Sequence, residues 1–365
     1  MDVDHDLIVG RHGIRRFAQF QVLWPGKAAA QDCSHFLSSP SRHPGRTSFS
    51  GSMVARLRIE KQVGIPSPFI PNVSAGSADR HRSSVPIAPI IAITPAIASI
   101  RTQLGVGVCF PVTFDQELQM FAGEMRKTYA LSLIQNFPAL PKGRPFPRID
   151  EADIITGLHD RVQDPTKQNQ GTAGLCGPAA FFYCVLNYKP ELYVQYVIDL
   201  FTTGKARIGA LEVKPGTGCR VYLPPPDKIA AVDWVALASL RDSDNFIMDL
   251  SSVDDELSCG SMPGDVANWF RQIGYRDVRD DTNLYFCKGR KEIEALDRDM
   301  RFNRDVCLFI NDNMLDEHTN RLKSTFVNHW VVVDEPPEIK GDRISLSVYT
   351  WGAVQRIPQV GSLSL

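Results

Sequence analysis

Residues 169–181 read NQGTAGLCGPAAF, a polar, glycine-containing stretch that runs into a strongly apolar one. Proline is well tolerated in the first turn of a helix, where its missing N–H breaks no hydrogen bond, so the pattern predicts a helix over Pro178–Asn187. Cys176 stands immediately before that helix. The partial positive charge of a helix N-terminus stabilises a thiolate and lowers the thiol pKa below its ordinary value of about 8.5. Cys176 is therefore a candidate nucleophile, with a buried structural cysteine as the alternative interpretation.

A thiol nucleophile needs a general base, and only three histidines follow residue 84. His329 opens the run HWVVV, which predicts a strand that would hold the imidazole rigidly. His318 lies in a polar loop, and His159 lies in an irregular polar stretch. We therefore take His329 as the candidate base, and a hydrogen-bonded structural histidine is the alternative.

Together these segments resemble the active-site region of the papain-like cysteine proteases. In that family a Gln-Gly pair precedes the nucleophile, and Gln170 stands six positions before Cys176 as the family glutamine does. The family then has a histidine that opens a strand, matched by His329, and an Asn-Ser-Trp-Gly stretch, which corresponds to residues 349–352, YTWG. The resemblance is closer to divergent bacterial papain-like toxins and effectors, which share a Cys-Gly-Pro-Ala helix start and a His-Trp strand, than to the digestive enzymes.

The resemblance implies an α+β fold in which an N-terminal helical part carries the nucleophile helix and a C-terminal antiparallel sheet carries the histidine. It also implies an oxyanion hole formed by the side chain of Gln170 and the backbone N–H of Cys176. The family asparagine falls on Tyr349, which cannot orient an imidazole through an amide oxygen, so Thr350 or Tyr349 is the candidate third member. Adjacent strand residues face opposite sides. We favour Thr350, whose short hydroxyl can lie close to the ring of His329 while the neighbouring Trp351 covers the pair from water.

The implied activity is a thiol-dependent amide hydrolase of the protease, glutamine deamidase or acyl transferase type, acting on a protein or peptide amide. This chemistry needs neither a cofactor nor a metal ion. A bacterial secreted effector or toxin is the implied biological setting, in the cytoplasm or exported into a target cell without a classical signal peptide. The alternative is a catalytically inactive papain-like binding module, which the missing asparagine favours.

Composition excludes several other classes of protein. The 365 residues carry a net charge of −1 and a sequence pI of about 6.7, so the chain as a whole is no basic nucleic-acid binder. The eight cysteines are scattered without a C-x-x-C pair, which argues against a structural zinc site and a disulfide-rich scaffold. The sequence does not determine the oligomeric state.

Two domains of different character are expected. Residues 1–104 are interpreted as a mostly disordered, basic, Ser/Pro-rich leader that is dispensable for folding, either a translocation signal or a gene start placed too far upstream. Residues 1–84 hold 11 Lys/Arg against 6 Asp/Glu, and residues 105–365 form the catalytic domain. Within the leader, Ser84–Ile100 is uncharged but interrupted by three prolines, which makes it a weak candidate for membrane contact.

Periodicity predicts the remaining elements. Apolar residues at helical spacing, including Phe121, Met125 and Tyr129, predict an amphipathic helix over Asp115–Phe137, and residues 156–174 are expected to be a polar loop. Further helices are predicted over Pro190–Thr202, Asp227–Leu240 and Gly264–Ile273, and strands over Val306–Ile310, Phe326–Val333 and Ile344–Trp351.

Overall fold

A computed structural model describes residues 53–60, 114–244, 250–254, 261–281, 290–302, 304–315, 327–357 and 363–364. The helices of these ranges are α1 (Phe114–Gln135), α2 (Glu151–Gln163), α3 (Cys176–Tyr188), α4 (Pro190–Thr203), α5 (Thr217–Val221), α6 (Ala231–Asp233), α7 (Ser239–Asp244), α8 (Pro263–Gln272) and α9 (Arg290–Arg301). A π-helical segment, Trp234–Ala238, joins α6 to α7, and short 3₁₀ helices span Pro165–Lys167 and Asp312–Leu315.

The strands are β1 (Met53–Glu60), β2 (Ala206–Ile208), β3 (Leu211–Val213), β4 (Arg279–Asp280), β5 (Arg304–Ile310), β6 (His329–Lys340), β7 (Arg343–Thr350), β8 (Ala353–Ile357) and β9 (Leu363–Ser364). β2 and β3 form a separate hairpin. The other described strands form one sheet in the order β4-β1-β5-β6-β7-β8, with β9 on β7, and every pair in it is antiparallel. Helices precede most of the sheet along the chain, so the predicted α+β class is confirmed.

Each face of the sheet has its own hydrophobic cluster. On one face Cys307, Phe309, Trp330, Val332 and Tyr349 join the core formed by the helices around α3. On the other face, residues that alternate with these pack with Ile293 and Leu296 of α9; they are Val306, Leu308, Ile310, Val331, Val333 and Val348. The alternation follows from the two-residue repeat of a strand and leaves the central strands buried on both sides.

β1 is a central strand of this sheet, although its residues belong to the range assigned to the leader. It lies between β4 and β5, and the side chains of Leu57 and Ile59 are completely buried. Residues 53–60 are therefore an exception to the interpretation of residues 1–104 as a mostly disordered leader. Residues 1–52 and 61–104, including Ser84–Ile100, lie outside the described residues. No helix in the described ranges is long and apolar enough to cross a membrane.

Two helices differ from the sequence prediction in an informative way. α1 forms as expected, but Phe121, Met125 and Tyr129 remain 48%, 44% and 53% exposed, while Ala130 and Ile134 face the core. α2 occupies the first half of the range predicted to be a polar loop. Its buried positions keep a helical period that is hidden in the sequence because two members are a glycine and an arginine; they are Ile154, Gly157, Leu158, Arg161 and Val162.

Candidate functional site

α3 places Cys176 at its first turn. The helix begins at Cys176 and is buried along nearly its whole length, and the preceding Leu175 provides no side-chain cap. The first backbone N–H groups of a helix have no partner within the helix, and Pro178 contributes none. The positive end of the helix dipole therefore lies at Cys176, a residue that is only 6% exposed. The local geometry is the one expected for a stabilised thiolate.

The loop before Cys176 has its shape fixed by backbone contacts. Asn169 Oδ1 accepts a hydrogen bond from the N–H of Gly171 at 2.8 Å, and Thr172 donates its N–H to the carbonyl of Lys228 at 3.2 Å. Gly171 has φ +58°, and a Cβ there would lie 1.6 Å from the Lys228 oxygen. Only glycine fits this left-handed position against another backbone, so the family-like Gln-Gly pair has a local structural requirement of its own.

A buried ion pair between Arg161 and Asp233 holds the start of the same loop in place. Asp233, which is completely buried, accepts hydrogen bonds from Arg161 Nε at 2.7 Å and from Nη2 at 2.5 Å. The same carboxylate accepts the backbone N–H of Asn169 at 3.1 Å. A bidentate arginine–carboxylate pair is geometrically specific, so it fixes the start of the loop that leads to Cys176.

Gln170 is held within its own turn. Its Nε2 donates to the carbonyl of Ala173 at 3.1 Å, while the N–H of Ala173 donates to the carbonyl of Gln170 at 3.2 Å. An amide nitrogen carries two hydrogens, so this contact occupies one of them. The residue is buried, and a role in an oxyanion hole would depend on its second N–H.

His329 is the first residue of β6 and lies directly against Thr350. The His329 Nε2 and Thr350 Oγ1 atoms are 2.6 Å apart, and the Trp351 indole stacks on the imidazole with 4.4 Å between ring centroids. Tyr349 faces the other side of β7, where its ring stacks on that of Tyr183 at 3.7 Å. The alternation of β7 thus separates the two sequence candidates, with Thr350 beside the imidazole and Tyr349 packed against α3.

The turn after Thr350 has a constrained backbone. Trp351 has φ +47° and Gly352 has φ +77°, and Thr350 pairs with Ala353 across them. Two consecutive positive φ values in a two-residue hairpin loop are typical of a type I′ turn, which a bulky residue such as tryptophan enters at a conformational cost. The turn holds the indole over His329.

Burial controls the protonation of His329. The residue is 5% exposed, and burial lowers the pKa of its imidazole from 6.5 to about 4, while the nearby carboxylate of Asp312 acts in the opposite direction. The imidazole is therefore neutral at pH 7. In the tautomer that places the proton on Nε2, facing Thr350, the lone pair on Nδ1 can accept a proton.

No family model, curated protein or solved structure matches this chain. The assignment of a site therefore depends on the geometry of the chain itself.

Several contacts bring the Cys176 loop and the His329 strand to the same end of the sheet. The Tyr349 hydroxyl donates to the carbonyl of Gln168, and a Cβ on Gly352 would lie 2.7 Å from Asn169 Nδ2. On the helix side, Trp330 Nε1 donates to the carbonyl of Ser261 at 2.9 Å. Ser261 in turn packs against Gly177, the residue after Cys176.

The two candidate side chains approach this end from different faces. Phe309 pairs with Trp330, and Ile310 pairs with His329. Phe309 and Trp330 belong to the core around α3, whereas Ile310 belongs to the opposite cluster. His329 thus shares the face of Ile310, and a Cys176–His329 pair has to form around the end of the sheet.

Two other histidines were considered from the sequence. His159 lies exposed on α2, and His318 lies outside the described residues. In the described ranges, no group of three or more His, Cys, Asp or Glu side chains is arranged to hold a metal ion.

Ser261, Asp312 and the Arg161–Asp233 pair also belong to the surroundings of the site and could not be recognised from the sequence. Asp233 and Ser261 are far in sequence from both motifs, whereas Arg161 and Asp312 precede Asn169 and His329 by 8 and 17 residues but carry no local signal of a role in the site.

Proposed function

We propose that this chain is a thiol-dependent amide hydrolase with a papain-like arrangement, in which Cys176 is the nucleophile and His329 the base. The observation that carries the proposal is the contact of His329 with Thr350 and Trp351, at the end of the sheet that also holds the loop before Cys176. The neutral imidazole is held through one nitrogen and keeps a lone pair on the other, which is the group that a general base requires.

The reaction would proceed in two stages. Cys176 Sγ attacks the carbonyl carbon of an amide as His329 takes the thiol proton, and the negative charge develops on the carbonyl oxygen. The C–N bond then breaks, His329 returns the proton to the leaving nitrogen, and a thioester remains on Cys176. Attack by water or another nucleophile on that thioester releases the acyl group. Peptide cleavage, glutamine deamidation and acyl transfer share these steps and differ in the leaving group or the acceptor.

Each supporting residue has a defined part in this scheme. Thr350 positions the imidazole through Nε2, and the N–H of Cys176 and the second N–H of Gln170 are candidate donors to the oxyanion. The ion pair of Arg161 and Asp233 holds the loop that carries these donors. A protein or peptide amide is the proposed substrate, in keeping with the resemblance to papain-like effectors.

Selective alkylation tests the proposal. The full chain is treated with limiting iodoacetamide at pH 6.5, and modification is located by peptide mass spectrometry. We expect Cys176 to react at least tenfold faster than Cys184, Cys219 and Cys307, which are also buried; of these three, only Cys219 lies in the first turn of a helix, the five-residue α5. Reaction of all four at similar rates, or no reaction of Cys176, would refute the nucleophile assignment.

A catalytically inactive binding module is the second candidate. Cys176 and His329 are 6% and 5% exposed and approach the end of the sheet from different faces. Both observations favour a site that is folded like a papain-like site but does not catalyse the reaction. In that case Cys176 remains inert in the alkylation experiment, whereas the folded state and its unfolding transition are normal.

A further inference from the structure

Ser261 has a buried hydroxyl that lacks a hydrogen-bond partner. The residue is 2% exposed, and within the described part of the chain its Oγ makes no hydrogen bond. Its backbone, by contrast, is held firmly, because its carbonyl accepts the indole N–H of Trp330 at 2.9 Å. Buried hydroxyl groups are almost always bonded in proteins, so the unused hydrogen-bonding capacity of Ser261 Oγ requires an explanation.

The hydroxyl lies beside the first turn of α3. A Cβ added to Gly177 would lie 2.4 Å from Ser261 Cβ and 2.5 Å from Ser261 Oγ. Ser261 therefore fills the space that a side chain at position 177 would need. This packing explains why a glycine follows Cys176 here, where the papain-like family usually has an aromatic residue.

The first turn of α3 is also where an anion would be stabilised. Its leading N–H groups have no intrahelical partners, and the helix dipole adds partial positive charge. One N–H of the Gln170 amide is already committed to the carbonyl of Ala173. The Ser261 hydroxyl beside this turn is a further hydrogen-bond donor for an anion, in addition to those of the Gln170 loop.

We infer that Ser261 is a further catalytic residue that donates a hydrogen bond to the carbonyl oxygen of the substrate as Cys176 adds to it. The inference rests on the proposed function. When the S–C bond forms, the electron pair of the C=O π bond moves to the oxygen, and the Ser261 O–H donates to the resulting negative charge without losing its proton. When the tetrahedral intermediate collapses, C=O re-forms, the C–N bond breaks, and His329 supplies the proton to nitrogen.

Two small probes separate this role from the reactivity of the thiol itself. Iodoacetamide alkylates a thiolate by displacement and develops no oxyanion. The second probe is N-acetylglycinal labelled with carbon-13 at the aldehyde. The thiol of Cys176 adds to its carbonyl carbon to form a hemithioacetal, whose oxygen occupies the position of the oxyanion. The full chain is compared with Ser261→Ala, using NMR for the dissociation constant of the aldehyde and mass spectrometry for the rate of Cys176 alkylation.

Ser239→Ala is the matched control. Ser239 is also completely buried, and its Oγ likewise has no hydrogen-bond partner among the described residues, but it lies at the start of α7. Both variants remove one buried, unbonded hydroxyl, so they share any general effect on packing. Urea unfolding of both confirms that the fold is retained.

We expect Ser261→Ala to weaken aldehyde binding about 3- to 10-fold, as for loss of one hydrogen bond to the neutral hydroxyl of the hemithioacetal, with the alkylation rate within about twofold of the unsubstituted chain. Ser239→Ala should leave both quantities within about twofold. The role of Ser261 would be overturned if Ser261→Ala left aldehyde binding unchanged, or if it reduced aldehyde binding and the alkylation rate by the same factor. Either result would leave the thiol nucleophile intact. If Cys176 of the unsubstituted chain does not react with iodoacetamide, the proposed function itself fails and the role of Ser261 falls with it. Alkylation of Cys176 without any hemithioacetal overturns the Ser261 donor alone.

Discussion

Removal of residues 1–104 is expected to unfold the domain, because it removes β1 from the interior of the sheet. Leu57 and Ile59 are completely buried, and burial of an aliphatic side chain contributes about 1.5–3 kcal/mol, so the two together account for about 3–6 kcal/mol. β1 also pairs with β5 through seven residue pairs, whose hydrogen-bonding groups would be left on a bare edge. The total stability of a domain is about 5–15 kcal/mol, so the loss is a large fraction of it.

Charged contacts add to this loss. Arg56 donates to the carbonyl of Glu292 at 2.8 Å and pairs with Asp281 at 3.3 Å, and Arg58 pairs with Asp299 at 3.4 Å. These bonds connect β1 to α9 and to the end of β4. Their individual contributions are small at the solvent-exposed surface but larger for Asp299, which is buried.

Urea unfolding followed by tryptophan fluorescence measures the effect. The full chain and a chain beginning at residue 50 should unfold at the same urea concentration, whereas a chain beginning at residue 105 should lose more than half of its free energy of unfolding or show no cooperative transition. Leu57→Ala in the full chain should cost about 2–5 kcal/mol, which separates loss of the strand from loss of the other residues. Unchanged unfolding of the chain beginning at residue 105 would refute the placement of β1.

Three other predictions concern the residues that shape the site. Because burial depresses the pKa of His329 from 6.5 to about 4, the unfolded chain binds the proton more tightly, so the contribution of His329 to stability should be constant above pH 6.5 and fall by up to about 3 kcal/mol as pH decreases to 4. His329→Gln should abolish this part of the slope in urea titrations, and an unchanged slope would contradict it. Asp233→Asn should lower the free energy of unfolding by about 3–5 kcal/mol, since it leaves Arg161 buried without its charge partner, and a loss below 1 kcal/mol would show that the pair does not anchor the loop. Thr350→Ala should slow thiol alkylation at the nucleophile about tenfold by freeing the imidazole, whereas Tyr349→Phe should cost only about 1 kcal/mol of stability; the reverse pattern would mean that Tyr349 orients the histidine.

The elements around the site could be predicted because their local signals are strong. Gly177-Pro178 marks the start of α3, and the β-branched run after His329 marks β6. The strand alternation that separates Thr350 from Tyr349 follows from geometry alone once β7 is recognised. These features need no knowledge of distant contacts.

Other features depend on tertiary contacts that leave little trace in the sequence. β1 alternates Arg56 and Arg58 with Leu57 and Ile59, a pattern too short to stand out within a Ser/Pro-rich region. Arg161 interrupts the apolar face of α2 and becomes acceptable inside the protein only because Asp233 lies opposite. The position of Ser261 depends on the packing of α8 against α3.

The buried face of α1 also could not be predicted from the sequence. Its apolar spacing correctly predicts a helix, but the face that packs on the domain is set by the neighbouring helices. Ala130 and Ile134 are buried, whereas Phe121, Met125 and Tyr129, which carry the sequence signal, face solvent. Periodicity therefore predicts the helix but does not predict which of its faces packs against the core.

The most direct test of the Cys176–His329 assignment is the pH dependence of Cys176 alkylation in the full chain and in His329→Gln. If the imidazole accepts the thiol proton, Cys176 should react with iodoacetamide well below the ordinary thiol pKa of about 8.5, and the substitution should slow the reaction at pH 6.5 by about tenfold or more and move the profile toward that of an ordinary thiol. Identical profiles for the two proteins would show that His329 does not act on Cys176 and would contradict the proposed mechanism.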